Sequence, residues 1–190
     1  MCRSGDRAEL MRGTFYYAFA VATFVLLFWT APINVVIFAS LFIGDGIADP
    51  VGRLWTSWAG AKQDQTNGIT ASTPADAVPD KKNDKQLVWL QYRVGWFGTK
   101  SYPGSAAFFV SSFSAAALWG TLFSWAGHYG TDFDMRTFLW ASALCVGAAT
   151  VAEAISPPHV DNLLVTYAAA AVAFCLAKSG AAPFMLRGCA

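Results

Sequence analysis

The chain has 190 residues, of which 55% are hydrophobic and only 13% are charged, and its mean hydropathy is +0.40. Soluble domains carry about 25% charged residues because their surfaces face water, so this composition excludes an ordinary soluble globule, a disordered chain and a disulfide-stapled secreted domain. The formal charge of +1 provides no basic surface for nucleic acid. The class of protein left by these exclusions is one that crosses a membrane several times.

The first apolar stretch contains no charged residue from position 13 to position 44. One helix of that length would extend about 48 Å, which exceeds the roughly 30 Å hydrocarbon core of a bilayer. Pro32 divides the stretch, because proline is tolerated in the first turn of a helix. The sequence therefore predicts one crossing at 15–31 and a second, shorter membrane segment at 33–43.

Three more apolar segments follow, and a polar stretch separates them from the first two. The polar stretch, 60–86, has too few apolar residues to fold alone and is predicted to be a flexible insertion. The predicted fold is all-α: a single membrane domain over 1–190, built as a multi-pass transmembrane helical bundle with one long polar loop. Its last three predicted segments are 105–126, 137–153 and 163–180.

The distribution of basic residues favours five crossings. With five, ten of the thirteen Lys and Arg residues fall on one side of the membrane and three on the other, whereas a single crossing in the first stretch gives seven and six. Basic residues accumulate on one face of a membrane. The five-crossing arrangement places the N-terminus and the loops 45–103 and 156–162 on the same side.

The first group of candidate functional residues lies directly after the second apolar segment, in the sequence GDGIADPVGR at 44–53. Asp45 and Asp49 are four residues apart, so one helical turn would place both carboxylates on one side. Gly44, Gly46 and Gly52 would let a ligand approach the backbone closely. Two carboxylates beside such a backbone suit a Mg²⁺–phosphate group, and a glycine-rich turn capped by aspartate is the alternative interpretation.

The second group, at 100–105, stands at the entry to the third predicted helix. A lysine, hydroxyl groups and a glycine beside a helix N-terminus can bind an anion, because free N–H groups and the helix dipole favour phosphate there. An interfacial lysine anchor is the alternative. The candidate residues are Lys100, Ser101, Gly104 and Ser105.

The third group flanks the prolines that end the fourth predicted helix. Glu153 ends an apolar run, and a carboxylate there is costly unless it is paired or functional. Asp161 and Asn162 follow, and either residue could instead cap the last helix. All three groups fall on the same predicted side of the membrane.

Taken together, these segments resemble the polyprenol kinase family, and its phytol kinase branch in particular. Residues 44–53 are similar to the family's GDGxAD…GR signature, residues 100–105 to its KSxxGS segment, and Glu153 with 161–163 to its E…DNL segment. Residues 9–13 with Tyr16 and Tyr17 resemble the stretch before the first of these helices. The family has further N-terminal helices, so the resemblance implies that this chain corresponds to its C-terminal portion.

The resemblance implies CTP-dependent phosphorylation of a long-chain isoprenoid alcohol, with phytol giving phytyl phosphate. It also implies Mg²⁺ and CTP as cofactors and a chloroplast membrane as the location, with the endoplasmic reticulum as the alternative. Other prenol or dolichol kinases, a lipid cytidylyltransferase and a catalytically inactive truncated membrane remnant are the alternative functions. Expected partners are the alcohol, the nucleotide triphosphate and the bilayer, and no nucleic acid.

Phosphoryl transfer requires positioning and charge neutralisation more than covalent chemistry from the protein, and this assigns roles to the candidates. Asp45 and Asp49 are expected to hold Mg²⁺. Arg53 and Lys100 would stabilise charge on the transferred group, and Asp161 or Glu153 would accept the proton of the alcohol. The nucleotide is expected to contact Gly44, Gly46, Gly52, Ser101, Gly104, Ser105 and Asn162.

Overall fold

The computed structural model describes residues 7–70, 93–94, 100–157 and 160–187. They form an all-α membrane-type bundle, as predicted, with one two-residue antiparallel strand pair in the described part. The elements are α1 (Arg7–Phe28), α2 (Pro32–Phe38), a π-helical segment (Ala39–Gly44), α3 (Asp45–Thr70), β1 (Arg93–Val94), β2 (Lys100–Ser101), α4 (Tyr102–Trp125), α5 (Met135–Ile155), α6 (Asp161–Lys178) and a 3₁₀ turn (Pro183–Leu186).

The described helices agree with most of the predicted membrane segments. Four are long and apolar enough to cross a membrane: Pro32–Trp55, Tyr102–Trp125, Met135–Ile155 and Asp161–Lys178. The first predicted crossing, 15–31, is represented by the shorter apolar helix Phe15–Phe28. The turn after it is closed by Asn34, whose buried side-chain amide donates to the carbonyl of Phe28.

The second predicted segment, 33–43, is wrong in its length. The helix does not stop at the glycine-rich sequence but continues from α2 through the π-helical segment into α3, so that one apolar helix covers Pro32–Trp55. Glycine and proline are weak helix formers, and Pro50 stands inside α3 without an N–H for the carbonyl of Gly46. Contacts with α4, described below, stabilise this stretch as a helix against that local preference.

The predicted polar insertion, 60–86, is also corrected in part. Helix α3 extends to Thr70, so the first eleven residues of that stretch are helical rather than irregular. The remaining residues, 71–86, lie outside the described part of the chain.

The helices alternate in direction along the bundle. Tyr17 contacts Phe42 across the α1–α2 turn, so α1 is antiparallel to the helix that follows it. Within the α4–α5 pair, a Cβ atom on Gly120 would lie 2.2 Å from the Phe138 ring and one on Gly147 would lie 3.9 Å from the Phe109 ring. Those two contacts fix α4 and α5 as antiparallel neighbours.

The last helix closes the bundle. Phe133, just before α5, packs against Phe184, just after α6, with ring centroids 5.3 Å apart. The start of α5 therefore lies beside the end of α6, and these two helices are antiparallel. Helix α2 lies at the centre, because it contacts α1, α4, α5 and α6, and its side chains Ile33, Val36 and Ile37 are fully buried.

Helix α5 begins with a side-chain cap. The Asp134 carboxylate accepts hydrogen bonds from the backbone N–H of Thr137 at 2.8 Å, from the Thr137 hydroxyl and from the backbone N–H of Arg136. Caps of this kind satisfy N–H groups that have no partner within the helix. The hydrogen bond from the Thr137 hydroxyl, followed by those from the backbone, holds the pKa of the exposed Asp134 carboxyl below its ordinary value.

Replacing Gly120 by alanine should destabilise the bundle, because the new methyl group would overlap the buried Phe138 ring. Overpacking of this kind costs about 1–3 kcal/mol. Thermal unfolding of the purified protein in detergent measures the effect. The matched control is Gly147→Ala, whose methyl group would make an ordinary contact with Phe109; equal melting temperatures for the two variants would contradict the α4–α5 packing described here.

The cap of α5 predicts a pH dependence of stability. Since the folded-state pKa of Asp134 lies below the unfolded value of about 3.9, its carboxylate stabilises the fold above that value, and this contribution is lost as the pH falls through the folded pKa. The Asn variant keeps a capping oxygen that does not titrate. We expect the Tm of the wild-type protein to fall below that of Asp134→Asn only under acidic conditions, below about pH 4. Parallel Tm profiles at all pH values would contradict this role, and Asp132→Asn is the control.

Candidate active site

The first two candidate groups meet along one contact between α3 and α4. The contact is made by small residues spaced four apart, Gly44, Ala48 and Gly52, which pack against the N-terminal half of α4. A Cβ atom on Gly44 would lie 2.1 Å from Ser112 Oγ, and one on Gly52 would lie 3.0 Å from Ser101 Oγ. Small residues let helix backbones approach closely within a membrane, so Gly44 and Gly52 serve packing between helices.

Gly104 completes this contact from the other helix. A Cβ atom at Gly104 would lie 3.2 Å from the carbonyl oxygen of Ala48, and Gly104 Cα lies 3.8 Å from the Cβ position of Gly52. The glycine-rich sequence of α3 and the serine–glycine sequence that opens α4 are therefore in direct contact. Their 48-residue separation between Gly52 and Lys100 gave no indication of how close they lie.

Gly46 faces away from this contact. It is exposed, and a Cβ atom on it would meet no heavy atom within 4 Å in the described part of the chain. Asp49 and Arg53 are exposed as well and form an ion pair one helical turn apart, with Arg53 Nη2 2.7 Å from Asp49 Oδ2. Asp45 is half-buried. The three charged residues each directly follow one of the small residues of the contact, so they lie beside the contact on the helix surface.

The charged residues of α3 lie inside the apolar helix, and the expectation that they stand just beyond a helix end is wrong. Asp45 precedes Trp55, the end of the candidate span, by ten residues, and Asp49 precedes it by six. At 1.5 Å per residue these positions are about 15 Å and 9 Å from Trp55 along the helix. Ionised groups at such depth are costly unless they are paired or functional, and the ion pair of Asp49 with Arg53 offsets part of that cost.

The N-terminus of α4 carries a capping serine and a buried one. The Ser101 hydroxyl accepts a 3.3 Å hydrogen bond from the N–H of Gly104, which occupies one of the N–H groups expected to bind phosphate. Ser105 is 9% exposed, and its hydroxyl has no hydrogen-bond partner among the described residues. Buried hydroxyl groups are nearly always paired, so the Ser105 hydroxyl is a candidate for binding a ligand at this helix end.

The backbone of Lys100 lies directly before the N-terminus of α4. It lies in β2, opposite Val94 of β1, and directly precedes the Ser101 cap. The position of its side chain lies outside the described part of the structure, so its predicted role at the phosphate stays a prediction.

The third candidate group is divided between the end of α5 and the start of α6. Glu153 is buried at 3% exposure, and its backbone carbonyl accepts a 3.0 Å hydrogen bond from the Ser156 hydroxyl. Asp161 opens α6, where one carboxylate oxygen accepts from the N–H of Asn162, and the carbonyl of Asn162 accepts from the Thr166 hydroxyl. His159 lies outside the described residues.

All three groups lie at the same end of the bundle. Phe109 lies beside Gly147 in the antiparallel α4–α5 pair. Moving five residues back from Phe109 reaches Gly104, and moving six forward from Gly147 reaches Glu153, so these two residues lie at nearly the same level, about 8 Å along each helix. Helix α6 starts at this end because it runs opposite to α5.

Three features near this end were not identified as functional from the sequence. The π-helical segment Ala39–Gly44 directly precedes Asp45, and such segments frequently occur at functional sites. Tyr17 of α1 packs its ring against Phe42, three residues before Asp45. Ser112, fully buried against Gly44, has no hydrogen-bond partner among the described residues. All three depend on contacts between helices, for which the sequence carries no local pattern.

The donor groups suit a metal ion that is held together with phosphate. Within the described residues, no group of three or more His, Cys, Asp and Glu side chains could hold a metal ion. Mg²⁺ usually takes one or two carboxylates and completes its shell with phosphate oxygens and water. Asp45 and Asp49, one helical turn apart, are two carboxylates of the number and type that such an ion takes.

Comparison with known proteins gives the same family as the sequence motifs. Over 177 residues, 92% of the chain, the sequence is 34% identical to a probable phytol kinase, chloroplastic, from Triticum aestivum, and this region is 47% of that protein. Over the same number of residues it is 32% identical to probable phytol kinase 1, chloroplastic, from Oryza sativa subsp. japonica, over 45% of that protein. The chain thus spans about half the length of the curated relatives it matches.

A shorter region is similar to a kinase with another name. Over 54 residues, 28% of the chain and 18% of the relative, it is 41% identical to farnesol kinase, chloroplastic, from Arabidopsis thaliana. No protein-family model and no solved structure matches the chain. The long alignments with the phytol kinases include all three candidate groups within 92% of the sequence, and they support a phytol kinase-like polyprenol kinase family for this chain.

Proposed function

We propose that this protein transfers the γ-phosphoryl group of a nucleoside triphosphate, CTP in particular, to an isoprenoid alcohol such as phytol, in a chloroplast membrane. The relatives' names supply the reaction and the compartment. The observation that carries the proposal is the direct contact between residues 44–52 and the N-terminus of α4. This contact joins carboxylates to a helix end with a free buried hydroxyl, and phosphoryl transfer uses both.

In this proposal the nucleotide phosphates lie at the N-terminus of α4. The dipole of the 24-residue helix favours an anion there, and the unpartnered Ser105 hydroxyl donates to a phosphate oxygen. Ser101 keeps its role as the cap of α4. Lys100, directly before that cap, adds positive charge at the same place.

Asp45 and Asp49 would hold Mg²⁺, which when bound neutralises charge on the phosphates. Asp49 is paired with Arg53. When the nucleotide binds, the arginine exchanges this carboxylate for the transferred phosphoryl group, since guanidinium pairs equally well with phosphate. The ion pair thus keeps the charges of Asp49 and Arg53 paired within the apolar helix until the substrate binds.

The transfer breaks the bond between the γ-phosphorus and the bridging oxygen of the nucleotide and forms a bond from the same phosphorus to the alcohol oxygen. The leaving nucleoside diphosphate keeps the bridging electron pair. The alcohol proton passes to a carboxylate at this end of the bundle. Asp161, at the half-buried start of α6, is better placed for proton exchange with water than the buried Glu153.

Removing either carboxylate of α3 should abolish phosphoryl transfer. We expect Asp45→Asn and Asp49→Asn each to lower the rate of phytyl phosphate formation at least about 100-fold, because charge neutralisation on the phosphates is lost. Purified protein, γ-labelled CTP and phytol in detergent micelles provide the assay. Asp132→Asn, an exposed carboxylate in the α4–α5 loop, is the matched control and should retain full activity.

Two results would contradict the proposal. Full activity of Asp45→Asn would remove its role at the phosphates. A product that incorporates label from α-labelled but not γ-labelled CTP would identify a cytidylyltransferase that transfers CMP instead of a kinase.

A further inference from the structure

A column of three aromatic side chains leads from the middle of the bundle to Asp45. Phe38 and Phe42 lie one turn apart on the central helix with ring centroids 5.7 Å apart. Tyr17 of α1 places its ring edge-on against Phe42, with centroids also 5.7 Å apart and an angle of 81° between the rings. Two helices therefore contribute to one continuous aromatic surface.

The polar end of this column is Asp45. Asp45 follows Phe42 by three residues in one continuous helix, at the point where the π-helical segment ends. The Tyr17 ring contacts Phe42, so this phenol of α1 lies beside the part of the helix that leads to Asp45. Along the helix, the apolar rings of the column are therefore followed by a carboxylate.

The column is open to the bilayer. Phe42 is 52% exposed, and Tyr17 and Phe38 are half-buried. All three lie within apolar helices, Phe15–Phe28 and Pro32–Trp55. An apolar molecule dissolved in the membrane can reach the rings without passing through water, whereas its polar end would arrive beside Asp45.

We propose that Tyr17, Phe42 and Phe38 bind the hydroxyl-bearing end of the isoprenoid alcohol, with its first isoprene units against the rings of Phe42 and Phe38 and its hydroxyl between Tyr17 and Asp45. This inference rests on the proposed function and names the residues that recognise its acceptor. An isoprenoid alcohol joins one hydroxyl to a branched apolar chain, and the column has the same order of polar and apolar groups. Aromatic rings offer large rigid surfaces to such a chain.

Other exposed aromatic residues lack this combination. Phe19, also on α1, is 51% exposed and stacks on Phe15, away from the central helix. Tyr16 contacts Phe15 rather than Phe42. Phe19 and Tyr16 therefore serve as matched controls for Phe42 and Tyr17 in exposure and residue type.

The first test measures kinetics with two alcohols, phytol and a five-carbon prenol. We expect Phe42→Ala to raise the KM for phytol about tenfold, equivalent to about 1.4 kcal/mol, and to lower kcat/KM for the five-carbon prenol by less, because its single isoprene unit covers only part of the aromatic surface. The KM for CTP should not change. Phe19→Ala should change none of these values. Equal losses with both alcohols, or the same effect in Phe19→Ala, would overturn the proposal.

Tyr17→Phe keeps the ring and removes the hydroxyl. It should lower kcat with both alcohols without changing the preference between them, whereas Tyr16→Phe should leave kcat unchanged. Two results would contradict the assigned position of the hydroxyl: a loss of chain-length preference in Tyr17→Phe, or equal effects of Tyr17→Phe and Tyr16→Phe on kcat.

A binding measurement separates this proposal from the proposed function. A phytol analogue with a photoreactive diazirine near its hydroxyl is irradiated with the full chain in detergent, without nucleotide, and labelled peptides are identified by mass spectrometry. Labelling of the peptides that contain Tyr17 and Phe42, reduced by excess phytol and by Phe42→Ala but not by Phe19→Ala, supports the site even if the chain does not transfer phosphate. Labelling confined to other helices would overturn it, whatever the activity.

Discussion

The structure depends on the close approach of two helix backbones, those of α3 and α4. One side is formed by Gly44, at the end of the π-helical segment, with Ala48 and Gly52 of α3. A Cβ atom on Gly44 would overlap Ser112 Oγ at 2.1 Å, whereas one on Gly52 would make a tight 3.0 Å contact with Ser101 Oγ. This contact stabilises a helix through a glycine- and proline-containing sequence that would otherwise favour a turn. It also fixes which face of α3 is turned away from α4, where Gly46 lies. Asp45, Asp49 and Arg53 each follow one of the small residues of this contact and lie beside it on the helix surface.

Packing and chemistry are thereby assigned to different residues of one short sequence. The small residues pack against α4 and so position the helix. The carboxylates at the neighbouring positions stay half-buried or exposed. The cost of this arrangement is charge at membrane depth, because Asp49 lies inside an apolar helix. Its ion pair with Arg53 lowers that cost and holds a cation close to where the proposed phosphoryl group would bind.

The sequence predicted the fold class, the family, and the approximate position of three of the four long apolar helices in the described part of the chain. It failed where contacts between helices override local preference. Gly44, Gly46 and Pro50 are ordinary signals for the end of a helix, yet the helix continues, since packing against α4 outweighs them. The helical start of the polar stretch, 60–70, was missed because its composition resembles that of a disordered segment. Tyr17 and Ser112 acquire their significance only from neighbours on other helices. The roles of Lys100, Asp161 and Glu153 remain predictions, which the positions of α4, α5 and α6 at one end of the bundle support.

Disulfide formation between residues 52 and 101 tests the central contact most directly. In a chain whose native cysteines have been replaced, Gly52→Cys combined with Ser101→Cys should form a disulfide rapidly in the membrane on mild oxidation, because a Cβ atom on Gly52 lies 3.0 Å from the Ser101 side-chain oxygen. Gly46→Cys combined with Ser101→Cys should not, since Gly46 faces away from α4. Failure of the first pair, or equal rates for both, would show that the two motif segments do not meet as described here.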